Sequence, residues 1–567
     1  MSTSGSDSDF DGFTLEEASE AVARSANLVR SVPDESDVDI SDDDTECYFD
    51  SDRGEDDLSD DDIAAPDNLN AEWTDELSDV NLQQFREECG PTHALPADAR
   101  PLDYFLLFLP TFFFEMVATE TNRYAEQKMA DKGNDPRWWP TTLEEIRAFF
   151  CVNIMMGIRK LPRISNYWST DERFADPYIS SILTKTRFTK LTQYLHLRDT
   201  SATPGRDDPN YDPLFKVRTL IDVVLPRCKD NYKPGCDLSI DEGMIGFKGR
   251  LHFRQYMPAK PTKWGIKVWE ICEAASGYCC GFDVYTGKKR DGVRQHGLGY
   301  DVVWNLSLPF HNQNRHLYFD RFFTSTTLAE HLTTAGTYMC GTIMANRKGL
   351  PVEVKKAKLK RTGELIQMQK GNMMATSYKD KRQITFLSTT SPPGVVENGK
   401  PHVNVDYNKH MGGVDRFDQL ISYYPVGRSG IKWWRYIMWF IVNLSIVNSW
   451  IVYSNSERDP RPSKNYDHLQ FRADVAEQLR AGHTSRKHRV GRKSKNADRD
   501  IARDVLHLHE VVKVEGRKKI CRECSQQKRK TPKGRPIETS FTCNFCSVPL
   551  CRIGCFTSYH ERNLVNV

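Results

Sequence analysis

CDLSIDEGMIGF (residues 236–247), KWGIKVWEICEA (263–274) and YCCGFDVYTG (278–287) follow one another along the chain. Each is rich in β-branched and aromatic residues, which suit a pleated, buried surface and predict strands. Ala275-Ser276-Gly277 supplies a tight turn between the second and third. A helical piece near Asp301–Leu308 comes next, then a strand HLYFD (316–320), a helix STTLAEHLTTAG ending in Gly336, and a strand TYMCGTIM (337–344).

Three strands, a helix, a strand, a helix and a strand is the order of a ribonuclease H-like α/β core, in which the first and fourth strands lie side by side. Asp241 on the first strand and Asp320 at the end of the fourth are then expected to face each other. Asp415 follows HMGGV, where the glycines let the backbone turn before a helix begins. That helix brings a third carboxylate beneath the two strand aspartates. Hard carboxylate oxygens are what Mg²⁺ prefers, and two such ions held ~3.5–4 Å apart drive in-line phosphoryl transfer on DNA. Asp418 lies one turn further on the same helical face. It reads either as a fourth acid of the site or as a charge answering the helix dipole.

The flanks differ sharply in charge. Across 567 residues the net charge is +1, yet residues 1–80 hold 27 acidic and 3 basic residues, leaving the rest at +25. Runs such as SDSDFD and GEDDLSDDD contain too little apolar material to fold, so residues 1–94 are expected to be a disordered acidic arm. Its roles range from a solubilising tail to a nucleic-acid mimic or partner-binding arm. Residues 95–235 read as an all-α module; within it Thr142 and Glu145 form a capping box ahead of a long apolar run. Tyr436–Tyr453 is apolar enough to suggest a membrane span, but Asn443, Ser445, Asn448 and Ser449 interrupt it, which favours a buried helix and no membrane partner. No cationic n-region with an apolar core opens the sequence. The 15 Cys are scattered apart from one C-terminal cluster, as in a reducing compartment.

Between Phe247 and Lys267, the bases Lys248, Arg250, Arg254, Lys260 and Lys263 alternate with Phe253, Tyr256 and Trp264. They are candidate phosphate contacts, or the solvated edge of a hairpin. Trp433, beside Trp434, is a packing residue or a platform for an unpaired base. Ser485–Lys495 (SRKHRVGRKSK) suits a nuclear localisation signal or a DNA tether. Near the C-terminus, Cys521, Cys524, Cys543, Cys546, Cys551, Cys555 and His560 have the spacing of structural Zn²⁺ ligands. Seven ligands leave one of two tetrahedral sites short, so an eighth is expected upstream: His509, with His507 as the competitor. Two interleaved sites make a cross-brace finger whose metal supplies its folding energy.

Several motifs, in order, resemble the piggyBac family of DNA transposases: LDYFLLF, ETNRYA, IDEGMIGFKGRLHFRQYMPAKPTKWGIKVW, YFDRFFTS, DYNKHMGGVDRFDQ and PLCRIGCFTSYH. The resemblance implies cut-and-paste transposition with hairpinned ends and insertion at TTAA sites. It implies catalytic Asp241, Asp320 and Asp415 with Asp418 as a further acid, two Mg²⁺ per active site and two structural Zn²⁺. Its expected partners are double-stranded DNA at transposon ends and target, and a second copy of the chain; the compartment is the nucleus. The implied layout is an all-α dimerisation and DNA-binding domain (95–235 and 425–480), a catalytic domain (236–344 and 400–424), an insertion domain (345–399), a basic linker (481–505) and a zinc finger (506–567). A domesticated DNA- or chromatin-binding protein that no longer transposes is the alternative. A ubiquitin ligase built on the finger alone would leave the strand-borne aspartates without purpose.

Overall fold

The computed structural model describes residues 72–485 and 509–565, except 202, 206–207, 259, 261, 288–293, 428–429, 461–462 and 545. The chain divides into two compact units, Met1–Arg486 and Lys487–Val567. The acidic run through residue 71, most of the basic stretch and His507 lie outside the described residues.

The larger unit opens with helices α1 (Pro101–Phe108), α2 (Thr111–Lys132), α3 (Leu143–Ile158), α4 (Lys185–Tyr194) and α5 (Phe215–Asp230). Thr142 caps α3 by accepting from the Glu145 amide at 3.4 Å. The reciprocal half of the expected capping box is replaced by an ion pair. Glu145 accepts from Arg187 Nε at 2.7 Å, and the fully buried Arg187 also lies over the Trp139 ring at 4.2 Å. A buried guanidinium needs such a partner more than an exposed helix start needs a second cap.

The central sheet has nine strands. These are β1 (Asp237–Gly246), β2 (Gln255–Tyr256), β3 (Trp264–Glu273), β4 (Cys279–Val284), β5 (His316–Phe319), β6 (Tyr338–Thr342), β7 (Leu365–Lys370), β8 (Met373–Lys379) and β9 (Gln383–Ser388). Strands β4, β3, β1, β5 and β6 lie side by side in that order. Strand β1 pairs antiparallel with β3 and parallel with β5, and β5 pairs parallel with β6. Helix α6 (Leu298–Ser307) joins β4 to β5, and α7 (Thr326–Thr334) joins β5 to β6 as a crossover. β3 is buried at every position after Trp264, which is why its sequence runs apolar rather than alternating.

Residues 345–399, expected as an insertion domain, add three strands to the same sheet. β9 pairs antiparallel with β6, and β8 joins β9 to β7. The expected disordered arm also ends earlier than residue 94. Residues 72–94 run extended along the larger unit. Thr74 and Gln369 exchange backbone hydrogen bonds at 2.9 and 2.8 Å, the Trp73 indole donates to Gly349 O, and Gly90–Pro91 pairs with Tyr232–Lys233. Backbone pairing of this kind holds a segment that composition alone marks as unfoldable.

After the sheet come α8 (His402–His410), α9 (Gly413–Tyr423), α10 (Trp433–Asn455) and α11 (His468–Arg480). Helix α10 packs on α1 and α5, and α11 on α3 and α1, so the two all-α stretches share one core. Helix α10 is the one described helix apolar and long enough to cross a membrane, and 83% of its apolar window is buried inside the protein. The polar residues that interrupt it are used internally. Asn448 donates to Cys279 O at 2.8 Å and accepts from Cys279 N at 3.0 Å, closing the outer edge of β4, while Asn443 donates to Ile421 O.

Candidate active site and metal centres

The parallel register pairs Ile240 with Phe319, so Asp241 and Asp320 each follow the last paired residue on neighbouring strands. Asp320 accepts from the Phe322 amide at 2.8 Å, which fixes its carboxylate at the strand end. Burial raises the pKa of both aspartates. The neighbouring Glu242 charge adds to the rise in each case, and Asp320 adds to it at Asp241.

Helix α9 delivers Asp415 and Asp418. Its N-terminus is fastened to β1, because the Val414 amide donates to Ser239 Oγ at 3.0 Å. Ser239, Asp241 and Gly243 alternate along one face of β1, and α9 packs on β1 and β3. The chain turns at Met411–Gly412 just before the helix, as the sequence suggests, and neither Gly412 nor Gly413 has positive φ. Gly413 is needed for close approach, since a Cβ there would lie 2.4 Å from Ser239 Oγ and 3.0 Å from Glu273 O. Asp415 is exposed and Asp418 half-buried. Burial, reinforced by the Asp415 charge and opposed by Lys260, pushes Asp418 up to about 7.

Lys260 sits among these acids. Its ammonium donates to Glu242 O at 2.8 Å. Burial acts to lower its pKa, but Asp241, Glu242, Asp418 and Asp415 together lift it above the ordinary value. An ammonium placed among converging carboxylates offsets part of their mutual repulsion. Asp241, Asp320 and Asp415 do not bring three ligand atoms within 4.8 Å of one another. A pair of ions ~3.5–4 Å apart spreads its ligands more widely than one ion does.

Sequence reasoning missed Glu270. It lies opposite Asp241 in the β1–β3 register, is fully buried, and neither carboxylate oxygen has a hydrogen-bond partner among the described residues. Burial, then the Asp418 charge, raises its pKa well above the usual range. Gly243 makes room for it, because a Cβ there would meet Glu270 Oε1 at 2.4 Å. The signal was present in the sequence as a lone carboxylate inside the apolar run KVWEIC.

The basic residues between β1 and β3 separate into two groups. Lys248, Arg250 and Lys263 are exposed. Arg254 is tied to the fold, donating to Lys248 O and Gly249 O at 3.1 and 2.9 Å and lying 4.3 Å over Trp264. Trp433 is half-buried and packs edge-on against Phe253 at 5.5 Å.

In the smaller unit the expected zinc ligands fall into two sets. Cys521, Cys524, Cys551 and Cys555 form one; His509, Cys543, Cys546 and His560 form the other, each with ligand atoms within 4.8 Å. Cys524 and Cys555 sulfurs are 3.4 Å apart, and His509 Nδ1 is 3.3 and 3.2 Å from the Cys543 and Cys546 sulfurs. Such separations suit a tetrahedral thiolate and imidazole site. His560 Nδ1 bonds Phe556 O at 2.7 Å, which turns Nε2 toward Cys546.

A carboxylate midway along β1, another just past the end of β5, acids on the helix packed against them and a cysteine-rich finger make up the arrangement that comparisons with known proteins place among transposases. The family model for Transposase IS4 matches residues 100–450, and that for a DDE_Tnp_1-like zinc finger matches residues 505–561. The chain belongs to the piggyBac family of DNA transposases. Human piggyBac transposable element-derived protein 3 is 26% identical over 485 residues, covering 81% of this chain and 76% of that protein. Human piggyBac transposable element-derived protein 5 is 24% identical over 440 residues, covering 73% and 82%. The piggyBac transposase in a cryo-EM synaptic complex with hairpin DNA superposes with a TM-score of 0.65 at 25% identity, covering 82% of this chain and 98% of that one.

Proposed function

We propose that this chain is a divalent-metal-dependent cut-and-paste transposase with a ribonuclease H-like core, acting in the nucleus as a homodimer. The observation that carries this reading is the placement of Asp241 and Asp320 on adjacent parallel strands, with Asp415 supplied by a helix fastened to Ser239. Asp241, Asp320 and Asp415 would hold two Mg²⁺, and Asp418 supports them from the same helix. Metal held by these carboxylates would supply Lewis acidity for activating a water or 3′-hydroxyl and for stabilising the departing oxygen. Lys260 neutralises the crowded acids and keeps a positive charge beside the scissile phosphate. Lys248, Arg250 and Lys263 draw in the DNA backbone with salt-dependent, sequence-independent affinity. By analogy with the solved synaptic complex, the DNA ends pass through hairpins; insertion at TTAA is carried over from the family resemblance alone. The finger holds two structural Zn²⁺ and binds the transposon ends.

Excision of a transposon with cognate terminal repeats tests the reading. Loss of excision in Asp320→Ala is expected, and excision that survives it would sink the metal-site assignment. A second reading, a domesticated DNA-binding protein, is favoured by the human relatives, whose names mark them as element-derived. DNA binding without cleavage of any end sequence decides for it.

A further inference from the structure

Cys236 and Asp237, at the start of β1, and His316, at the start of β5, form another cluster four residues before Asp241. Asp237 and His316 are paired in the parallel register, and ligand atoms of Cys236, Asp237 and His316 all lie within 4.8 Å of one another. His316 Nδ1 is 3.4 Å from Asp237 Oδ1. Helix α8 adds a fourth group: His410 Nε2 comes 3.8 Å from Asp237 Oδ2. In a tetrahedral site with bonds of about 2.0–2.3 Å, neighbouring ligand atoms stand roughly 3.3–3.8 Å apart. The His316–Asp237 separation falls within that span, while His410 faces the second oxygen of the same carboxylate and stands just outside the three-residue set.

The surrounding bonds fit the same reading. His410 Nδ1 bonds Asp406 Oδ1 at 3.0 Å, which leaves Nε2 as the acceptor nitrogen facing Asp237. A carboxylate behind the ligating imidazole is the usual way such a histidine is oriented and made more basic. Tyr318 OH reaches both Asp237 Oδ1 and Asp406 Oδ1 at 3.1 Å, bracing the two carboxylates against each other. The side chains of Asp237, His316 and His410 are 31%, 22% and 17% exposed, sheltered yet within reach of an entering ion.

We propose that Cys236, Asp237 and His316 form a zinc-class metal site, separate from the finger, which draws in His410 as its fourth ligand and so clamps α8 to β1 and β5. Those strands carry Asp241 and Asp320, and α8 leads directly into the helix bearing Asp415. A metal here would therefore hold the two halves of the acidic site in register.

The test is elemental zinc analysis of the full-length chain, reconstituted with zinc and dialysed. His316→Ala and His410→Gln are each expected to lose about one zinc atom per chain relative to the unaltered protein. Cys524→Ser reports finger zinc independently, and combining it with His316→Ala should give an additive loss. Zinc content in His316→Ala and His410→Gln equal to that of the unaltered chain would overturn the proposal and leave a hydrogen-bonded ion-pair cluster only. Should both histidine variants fail to fold, Cys236→Ser in cobalt-loaded protein gives a second measure. Seven thiolates then ligate, six of them in the finger, so about one-seventh of the thiolate-to-cobalt absorption should disappear. Unchanged absorption would likewise overturn it.

Discussion

Replacing Gly413 with alanine tests how closely the helix bearing Asp415 must approach the sheet. The added methyl would lie 2.4 Å from Ser239 Oγ, 3.0 Å from Glu273 O and 3.1 Å from Ala274 Cα. Ordinary heavy-atom contact is about 3.5–4.0 Å, so the helix must back away by roughly 1 Å. Two of the three obstacles are backbone, which no rotamer change relieves. Overpacking of this size costs about 1–3 kcal/mol. A displacement of ~1 Å at a reacting group lowers turnover by about 100-fold. Denaturant unfolding reads the first effect, and strand cleavage on an oligonucleotide carrying a transposon end reads the second. Gly412→Ala is the matched control, because nothing lies within 4 Å of its Cβ position and its φ of −86° is open to any residue. Adding Ser239→Ala should recover part of the loss at most, since the Glu273 carbonyl remains. Equal stability and cleavage in the Gly413 and Gly412 variants would refute the reasoning.

Glu270→Met removes a buried carboxyl without hydrogen-bond partners among the described residues and should stabilise the metal-free protein by ~1–3 kcal/mol at pH 8. Because the folded pKa of Glu270 is raised, its share of stability is present below about pH 4.3 and lost as pH rises. The gain should therefore shrink toward pH 5 in paired denaturation curves. His196 is stacked on Tyr124 with ring centroids 3.5 Å apart. Burial, then Lys432, pushes its pKa down to about 2. Its contribution is complete above pH 6.5 and falls by about 1.4 kcal/mol per unit below that, so His196→Phe should flatten the acid side of the stability profile between pH 6.5 and 4.5. Chelation of zinc should abolish the protease resistance of residues 509–565, because thiolates deprived of metal supply no folding energy to so small a core. Resistance that outlasts complete zinc removal would contradict it.

The strand and helix order of residues 236–344 was legible because each element carries its own local period and breaker. Asp241 and Asp320 can be paired from the sequence, since strand order alone decides which ends are neighbours. Six cysteines and His560 of the finger were equally open to reading from spacing, which left the eighth ligand between His509 and His507. What the sequence concealed depends on contacts between distant segments. Strands 365–388 look like any hairpin until β6 receives them, and residues 72–94 look unfoldable until Gln369 and Gly349 bind them. Glu270 was hidden because an acid in an apolar strand gains meaning only from the residue across the ladder. The close-approach role of Gly413 was hidden for a related reason: backbone turning and close approach both select glycine, and only the packing partner reveals the second.

Asn448 meets Cys279 with both arms of its amide, well over a hundred residues further along the chain. Until α10 has been made, the outer rim of β4 offers unpaired amides and carbonyls next to buried apolar side chains. Such a rim is a template for pairing with another chain. A product truncated ahead of Trp433 should therefore fail by self-association and not merely by loss of activity. The long apolar helix, which hydropathy alone would assign to a lipid bilayer, acts as a guard against aggregation.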